Sequence, residues 1–137
     1  MKGLNDYVRE CHKYAVENGF YDERFNIAEK LMLVVSELSE ALEVCRKDPY
    51  WKEYGFPAWM VLHTPSEQLV GSLEAKDKKA FEEFESIYKD SFQDEIADVL
   101  IRIFDLCGAV GIADIDRHVR AKKAYNAMRP RKHGKEF

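Results

Sequence analysis

The segment from Asp94 to Asp105, DEIADVLIRIFD, constrains the fold of this chain more than any other stretch. Seven of its twelve residues are apolar, which predicts a helix that is buried on most of its circumference. Four charged residues recur in it at steps of three, four and three: Glu95, Asp98, Arg102 and Asp105. Because a helix turns by about 100° per residue, these four share one stripe. Such a stripe indicates either a solvated edge or a polar site.

A second acidic pair with the same spacing, Glu37 and Glu40, lies in the apolar stretch VVSELSEALE. Carboxylates that face the interior of a bundle are costly without a cation. The sequence therefore predicts that two helices bring four carboxylates around one hard divalent ion: Glu37, Glu40, Glu95 and Asp98. The alternative for the earlier pair is a solvated helix face. Arg102 is then expected as an internal counterion, with Asp105 as a further ligand or as its partner.

Oxygen-only ligands favour Mg²⁺, with Mn²⁺ as a possible substitute. A ferritin-like di-iron site is the competing interpretation, but it requires Glu-x-x-His motifs. No histidine of this chain follows a glutamate by three positions: His12, His63, His118 and His133. We expect these four histidines at the surface.

The C-terminal segment is basic although the net charge of the 137-residue chain is -4. From Arg117 onwards there are eight Lys and Arg residues and one acidic residue. Lys123, Asn126 and Arg129 recur at steps of three, so they lie on roughly one helix face, and such side chains suit phosphate oxygens. The alternative is a solvated basic tail. The acidic total argues against stable nucleic-acid binding.

The hydrophobic periodicity predicts a single all-α domain without strands. Two of the six expected helices cover about 4–18 and 78–89. The other four begin after a capping residue: Asp22 or Asn26 for the helix that ends near Lys47, Thr64 for the one that ends near Ala75, Ser91 for the one that ends near Val110, and Asp114 or Asp116 for the one that ends near Met128. Residues 48–63 are rich in aromatic residues and proline and are expected to be irregular.

The cysteines and the chain start indicate a cytoplasmic protein. Cys11, Cys45 and Cys107 form no Cys-x-x-Cys motif, and Cys45 and Cys107 are expected as small buried residues. No signal-peptide segment and no apolar run of about 18 residues are present, so no membrane association is expected.

The order of three motifs, over roughly half the chain, resembles the MazG-like all-α nucleoside triphosphate pyrophosphohydrolases: Glu37-x-x-Glu40, Glu95-x-x-Asp98 and Lys123-x-x-Asn126-x-x-Arg129-Pro130. The resemblance implies a four-helix-type bundle completed by assembly into a homodimer or homotetramer. It also implies Mg²⁺-dependent cleavage between the α and β phosphates of a nucleoside triphosphate, as in nucleotide-pool housecleaning. The two acidic pairs match the metal ligands of that family, and Lys123, Asn126 and Arg129 match its phosphate-contacting residues. The chain departs from many relatives in an insert at about 48–90.

In that reaction we expect Glu40 and Glu95 to be catalytic, with Glu40 activating water. Lys30 and Arg131 are further candidates for contacts to the phosphates. Trp51, Trp59 and Phe25 are candidates for the base pocket, although these aromatic residues could instead pack the insert or bury a subunit interface.

Two alternatives stay open from the sequence. One is a non-enzymatic helical module that binds a protein partner through its charged surfaces. The other is a pyrophosphohydrolase that acts on a different phosphorylated nucleotide, such as a phosphoribosyl nucleotide.

Overall fold

A computed structural model describes residues 1–55 and 64–131 of the protein. These residues form seven helices and no strand, so the predicted all-α class is confirmed. The helices are α1 Leu4–Glu17, α2 Ile27–Lys47, α3 Pro49–Tyr54, α4 Glu67–Glu74, α5 Lys78–Ile87, α6 Phe92–Ala109 and α7 Ile115–Ala127. Within these ranges no helix has the length and apolarity needed to span a membrane.

Most of the predicted helix ends are found where the capping residues indicated. Ser91 precedes α6, and its hydroxyl accepts a hydrogen bond from the Asp94 amide at 3.2 Å. Asp114 rather than Asp116 caps α7, because its carboxylate accepts from the Arg117 amide at 2.9 Å. At the other end of α6, Gly111 adopts a φ of 75°, which only glycine adopts without strain.

Two predictions for residues 48–75 are wrong. Thr64 does not cap α4, since the helix begins two residues after Pro65 and the Ser66 hydroxyl accepts from the Leu69 amide at 3.1 Å. The segment predicted to be irregular contains α3, because the fixed φ of Pro49 suits the first position of a helix.

The contacts divide the chain into two compact units. The first consists of residues 1–27 and 101–137. Within it, the ring of Tyr7 stacks on that of Phe104 at a centroid distance of 5.6 Å. The Asn5 amide donates to the Asp114 carboxylate at 2.9 Å, which ties the start of α1 to the start of α7.

The second unit consists of residues 28–100. In it, α4 packs against α5, and Asp77 takes part in the ends of both helices. Its amide donates to the Ser72 carbonyl at 3.0 Å, which closes α4. Its carboxylate accepts from the Ala80 amide at 3.0 Å, which opens α5.

Many apolar side chains of α2 and α6 are exposed. The expectation that residues 94–105 are buried on most of their circumference is therefore wrong, since Leu100, Ile101 and Ile103 are exposed. Along α2 the exposed large apolar residues are Ile27, Leu31, Met32, Leu33, Val35, Leu38 and Leu42. The physical reason is that one short chain has too few elements to cover two apolar helices. Cys45 and Cys107 are buried, as predicted.

Candidate metal centre

Three carboxylates of the second unit converge to form an acidic cluster of Glu37, Glu95 and Asp98. One carboxylate oxygen from each residue lies within 4.8 Å of the others. Glu37 comes from α2, and the other two residues come from α6. Glu37 and Glu95 are only 7% and 5% exposed, whereas Asp98 is exposed. Three of the four predicted ligands are thus brought together.

Helical spacing explains why Glu37 is buried. The buried residues of α2 are Glu37, Ala41 and Cys45, which recur every four positions and so form one stripe. The small side chains of Ala41 and Cys45 let this stripe face the interior of the unit. The alternative of a solvated face is therefore wrong for Glu37. A solvated face is the correct interpretation for Glu40, which is exposed and lies outside the acidic cluster.

Burial makes the Glu95 carboxyl hard to ionise. Its pKa is raised to about 7, first by desolvation and then by the negative charges of Glu40 and Asp98, with smaller contributions from Asp94 and Glu37. Among the residues that the structure describes, none donates a hydrogen bond to the Glu95 side chain. A bound cation would replace the proton and stabilise the ionised form.

The donor set of the acidic cluster fits a hard divalent cation. All three donors are carboxylate oxygens, and neither a thiolate nor an imidazole belongs to the group. This composition suits Mg²⁺ or Mn²⁺ better than Zn²⁺ or iron. The two buried carboxylates on helices have fixed positions, and the exposed Asp98 leaves one side of the acidic cluster open to solvent.

An open cavity of about 720 Å³ adjoins the acidic cluster and also lies within the second unit. Glu40 and Glu95 line it, so two of the four carboxylates of the predicted metal site face a space that can hold a small molecule. Five of its described lining residues carry carboxyl groups: Glu40, Glu43, Asp48, Asp90 and Glu95. The sequence analysis did not single out Glu43, Asp48 or Asp90 as site residues.

The predicted phosphate-binding residues fall mainly in the first unit. Lys123 and Asn126 lie on α7, and Arg129 and Arg131 follow it. The guanidinium of Arg129 lies 6.0 Å from the centroid of the Tyr125 ring, and Lys123 and Arg131 are exposed. The fifth candidate, Lys30, is half-buried on α2 in the second unit.

Two of the three candidates for the base pocket belong to different units. Phe25 belongs to the first unit, where its ring packs edge-on against Tyr21 at 5.4 Å. Trp51 lies on α3 in the second unit and is 37% exposed. Trp59 lies outside the residues that the structure describes.

The first unit contains a polar group around Asp105, and its other members, His12 and Tyr21, were not predicted from the sequence. The buried Asp105 accepts from the Tyr21 hydroxyl at 2.7 Å, and its Oδ1 lies 2.9 Å from Nδ1 of His12. Burial and the Asp105 charge raise the pKa of Tyr21 above its usual range. The prediction of surface histidines is therefore wrong for His12, which is half-buried. It is confirmed for His118, whereas His63 and His133 lie outside the described ranges.

A sequence signal for His12 was present. Val8 and Ala15 are the buried residues of α1, and His12 follows Val8 by four positions and precedes Ala15 by three. His12 therefore belongs to the buried stripe of an amphipathic helix. Its partner Asp105 is distant in sequence and could not be inferred from that stripe.

Comparison with known proteins gave no assignment. Neither protein-family models, nor curated proteins, nor solved structures yielded a match to this chain. The functional interpretation therefore depends on the acidic cluster, the adjoining cavity and the order of the sequence motifs.

Proposed function

We propose that the protein is a MazG-like, Mg²⁺-dependent nucleoside triphosphate pyrophosphohydrolase. It cleaves the bond between the α and β phosphates and releases a nucleoside monophosphate and pyrophosphate. The observation that carries this proposal is the acidic cluster, in which Glu95 is buried beside two further carboxylates and accepts no hydrogen bond from any residue that the structure describes. Mn²⁺ is expected to substitute for Mg²⁺.

In this proposal Glu37, Glu95 and Asp98 hold the cation. When bound, the ion offsets the negative charge of the phosphate oxygens and lowers the pKa of a coordinated water. Glu40 follows Glu37 by one helical turn, lines the cavity and is exposed. We assign to Glu40 the role of accepting the proton of the attacking water, and its position outside the acidic cluster supports this assignment because it would not be occupied by the cation.

Basic residues are required for the triphosphate, since carboxylates alone repel it. Lys123, Asn126 and Arg129 are the proposed phosphate contacts, together with Lys30 and Arg131. Their ammonium, amide and guanidinium groups donate hydrogen bonds to phosphate oxygens and stabilise the departing pyrophosphate.

Assembly into a homodimer or homotetramer is part of the same proposal. The support for it is the set of exposed apolar side chains on α2 and α6, of which Met32 is 63% exposed. A soluble monomer rarely exposes contiguous apolar surface of this kind. A non-enzymatic interaction module would also expose apolar side chains, but it provides no reason to bury the Glu95 carboxyl.

The test is product analysis after incubation of the purified protein with the common nucleoside triphosphates in Mg²⁺, in Mn²⁺ and in EDTA. We expect monophosphate and pyrophosphate in either metal and no product in EDTA. Diphosphate and phosphate would show that a different bond is cut. If no triphosphate is cleaved while a phosphoribosyl nucleotide is, the alternative substrate class replaces the proposed one.

A further inference from the structure

The cavity beside the acidic cluster runs lengthwise along α2. Six of its described lining residues belong to this helix and recur at steps of three, one, three, one and three: Ser36, Ser39, Glu40, Glu43, Val44 and Lys47. This spacing defines one stripe, which covers about three turns and about 16 Å of helix length. The cavity therefore extends along the helix axis, and its volume of about 720 Å³ is in the range of small-molecule sites.

The two ends of this stripe differ in charge. At its start, Ser36 and Glu40 flank Glu37, which belongs to the acidic cluster. At its end lies Lys47, the only cationic residue among the lining residues that the structure describes. Lys47 follows Glu40 by seven residues, so the two lie on one face of α2, about 10 Å apart along its axis. The proposed cation and the Lys47 ammonium therefore belong to opposite ends of the stripe.

The ammonium group of Lys47 can accept an anionic ligand. Lys47 is exposed and forms no ion pair with any residue that the structure describes. Of the carboxylates nearest to it in sequence, Glu43 is ion-paired with Arg46 at 2.7 Å, and Asp48 is buried and has an interaction of its own. The exposed Asp90 comes from the segment between α5 and α6 rather than from the stripe. A lysine carries a compact charge on a flexible stem, which suits phosphate oxygens.

We propose that Lys47 binds the β and γ phosphates of the substrate, and that the triphosphate lies along α2 from the cation towards Lys47. The inference rests on the proposed nucleoside triphosphate substrate and adds a binding residue and a direction to it. Lys47 lies outside all three sequence motifs, so the sequence did not indicate it.

The position of Lys47 suits the leaving group of the proposed reaction. Water attacks the α phosphorus and passes a proton to Glu40, while the bond from the α phosphorus to the bridging oxygen breaks. The electron pair of that bond stays on the bridging oxygen, so negative charge accumulates on the departing pyrophosphate. The Lys47 ammonium donates hydrogen bonds to its oxygens and stabilises this charge.

The experiment measures the binding of the two products separately. Pyrophosphate and the common nucleoside monophosphates are titrated calorimetrically into the full-length protein in Mg²⁺. Lys47→Met removes the charge and keeps an unbranched side chain. We expect it to weaken the binding of pyrophosphate at least about tenfold, the ratio for one charge-assisted hydrogen bond. The affinity for the monophosphate is expected to change by less than about threefold, because its phosphate stays at the cation and the distant Lys47 charge is screened.

Two further variants separate a phosphate contact from a structural role. Lys47→Arg keeps the positive charge and is expected to retain the pyrophosphate affinity within about threefold. Lys78→Met, at an exposed position of α5 outside the lining of this cavity, is the matched control and is expected to leave both affinities unchanged. A lysine that only stabilises the C-terminal end of α2 would lower the melting temperature when replaced and leave pyrophosphate binding unchanged.

The outcomes separate this inference from the proposed function. Unchanged pyrophosphate affinity in Lys47→Met, an equal loss for both products, or no binding of pyrophosphate to the wild type would overturn the inference. If the wild type releases monophosphate and pyrophosphate while Lys47→Met binds pyrophosphate normally, the proposed reaction stands and the inference fails. If pyrophosphate binding depends on Lys47 but no triphosphate is cleaved, the proposed reaction fails and Lys47 remains a contact for the phosphates.

Discussion

The side chain of Glu95 is expected to make the stability of the protein dependent on pH and, through the proposed metal site, on divalent cations. Its pKa is about 7 in the folded protein and 4.5 in an unfolded chain, so the folded state binds more protons between these values. The stabilisation from this proton is fully present below pH 4.5 and is lost as the pH rises through 7. This change of stability with pH is opposite in direction to the one that a salt-bridged carboxylate causes, because a salt bridge lowers the pKa of the carboxylate in the folded state.

We therefore expect the metal-free protein to lose stability between pH 5 and 8, with a contribution from Glu95 of roughly 2–3 kcal/mol. Mg²⁺ is expected to restore stability most strongly at the upper end of this range, because a cation binds the ionised form. Thermal unfolding in EDTA and in Mg²⁺ across that range measures both effects. A melting temperature that is independent of Mg²⁺ at pH 8 would contradict the metal site.

Glu95→Gln separates the role of this residue in stability from its role in activity. The amide keeps the shape of the protonated carboxyl, so the variant is expected to be more stable than the wild type in EDTA at pH 8. Its turnover is expected to fall by about two orders of magnitude or more, because a metal ligand is lost. Glu85→Gln, an exposed carboxylate, is the control for both measurements.

Retained turnover in Glu95→Gln would show that the site has been assigned to the wrong residue. A variant that is less stable than the wild type under metal-free conditions would show that the Glu95 charge is compensated by a partner.

The sequence predicts local relationships between site residues and fails for distant ones. The pairing of Glu95 with Asp98 follows from helical spacing alone, and the apolar neighbours of Glu95 indicate its burial. The contribution of Asp90 to the cavity depends on how the segment after α5 packs, which no local pattern encodes. The same holds for Asp105, whose partners His12 and Tyr21 are 93 and 84 residues away.

At the scale of the helices, boundaries were predictable wherever a capping residue stood beside a periodic apolar pattern. α6 and α7 begin after Ser91 and Asp114 for this reason. The error at α4 arose because Thr64 and Ser66 are both good caps on either side of Pro65. Backbone hydrogen bonding of the folded chain selects Ser66.

The sequence also does not reveal that α1 lies very close to Gly108 of α6. A Cβ atom at Gly108 would lie 2.5 Å from the Cβ of His12, which is far inside van der Waals contact. Gly108→Ala is therefore expected to destabilise the protein by about 1–3 kcal/mol in spite of the higher helix propensity of alanine.

Gly71→Ala is the matched control, because Gly71 lies inside α4 and, among the described residues, nothing outside the backbone of its own helix comes within 4 Å of a Cβ built on it. It is expected to stabilise the protein by about 0.5–1 kcal/mol. Urea unfolding of both variants gives the comparison. Equal stabilisation by the two substitutions would show that α1 does not approach Gly108 closely.

At the scale of the whole molecule, the exposed apolar side chains of α2 predict self-association. Met32→Lys and Leu38→Lys place a charge on this surface, and each is expected to shift the assembly towards monomer. Sedimentation velocity over a range of concentrations measures the shift. Ser86→Lys, at an exposed position of α5, introduces the same charge elsewhere and is expected to leave the assembly unchanged.

A wild-type protein that sediments as a monomer at high concentration would contradict the proposed assembly. The apolar surface would then have to be covered by a different protein, as the interaction-module alternative requires.

The first unit is built from two chain segments that are far apart in sequence, residues 1–27 and 101–137. This arrangement has a consequence for the folding of the chain during its synthesis. α1 is synthesised before the second unit, whereas its partners in α6 and at the start of α7, which Tyr7, Asn5 and His12 contact, are synthesised after it. The second unit is contiguous and carries the whole acidic cluster, so its residues are complete while α1 still lacks its partners. During translation α1 therefore exposes its buried stripe to the cell for the time that the ribosome needs to reach α7.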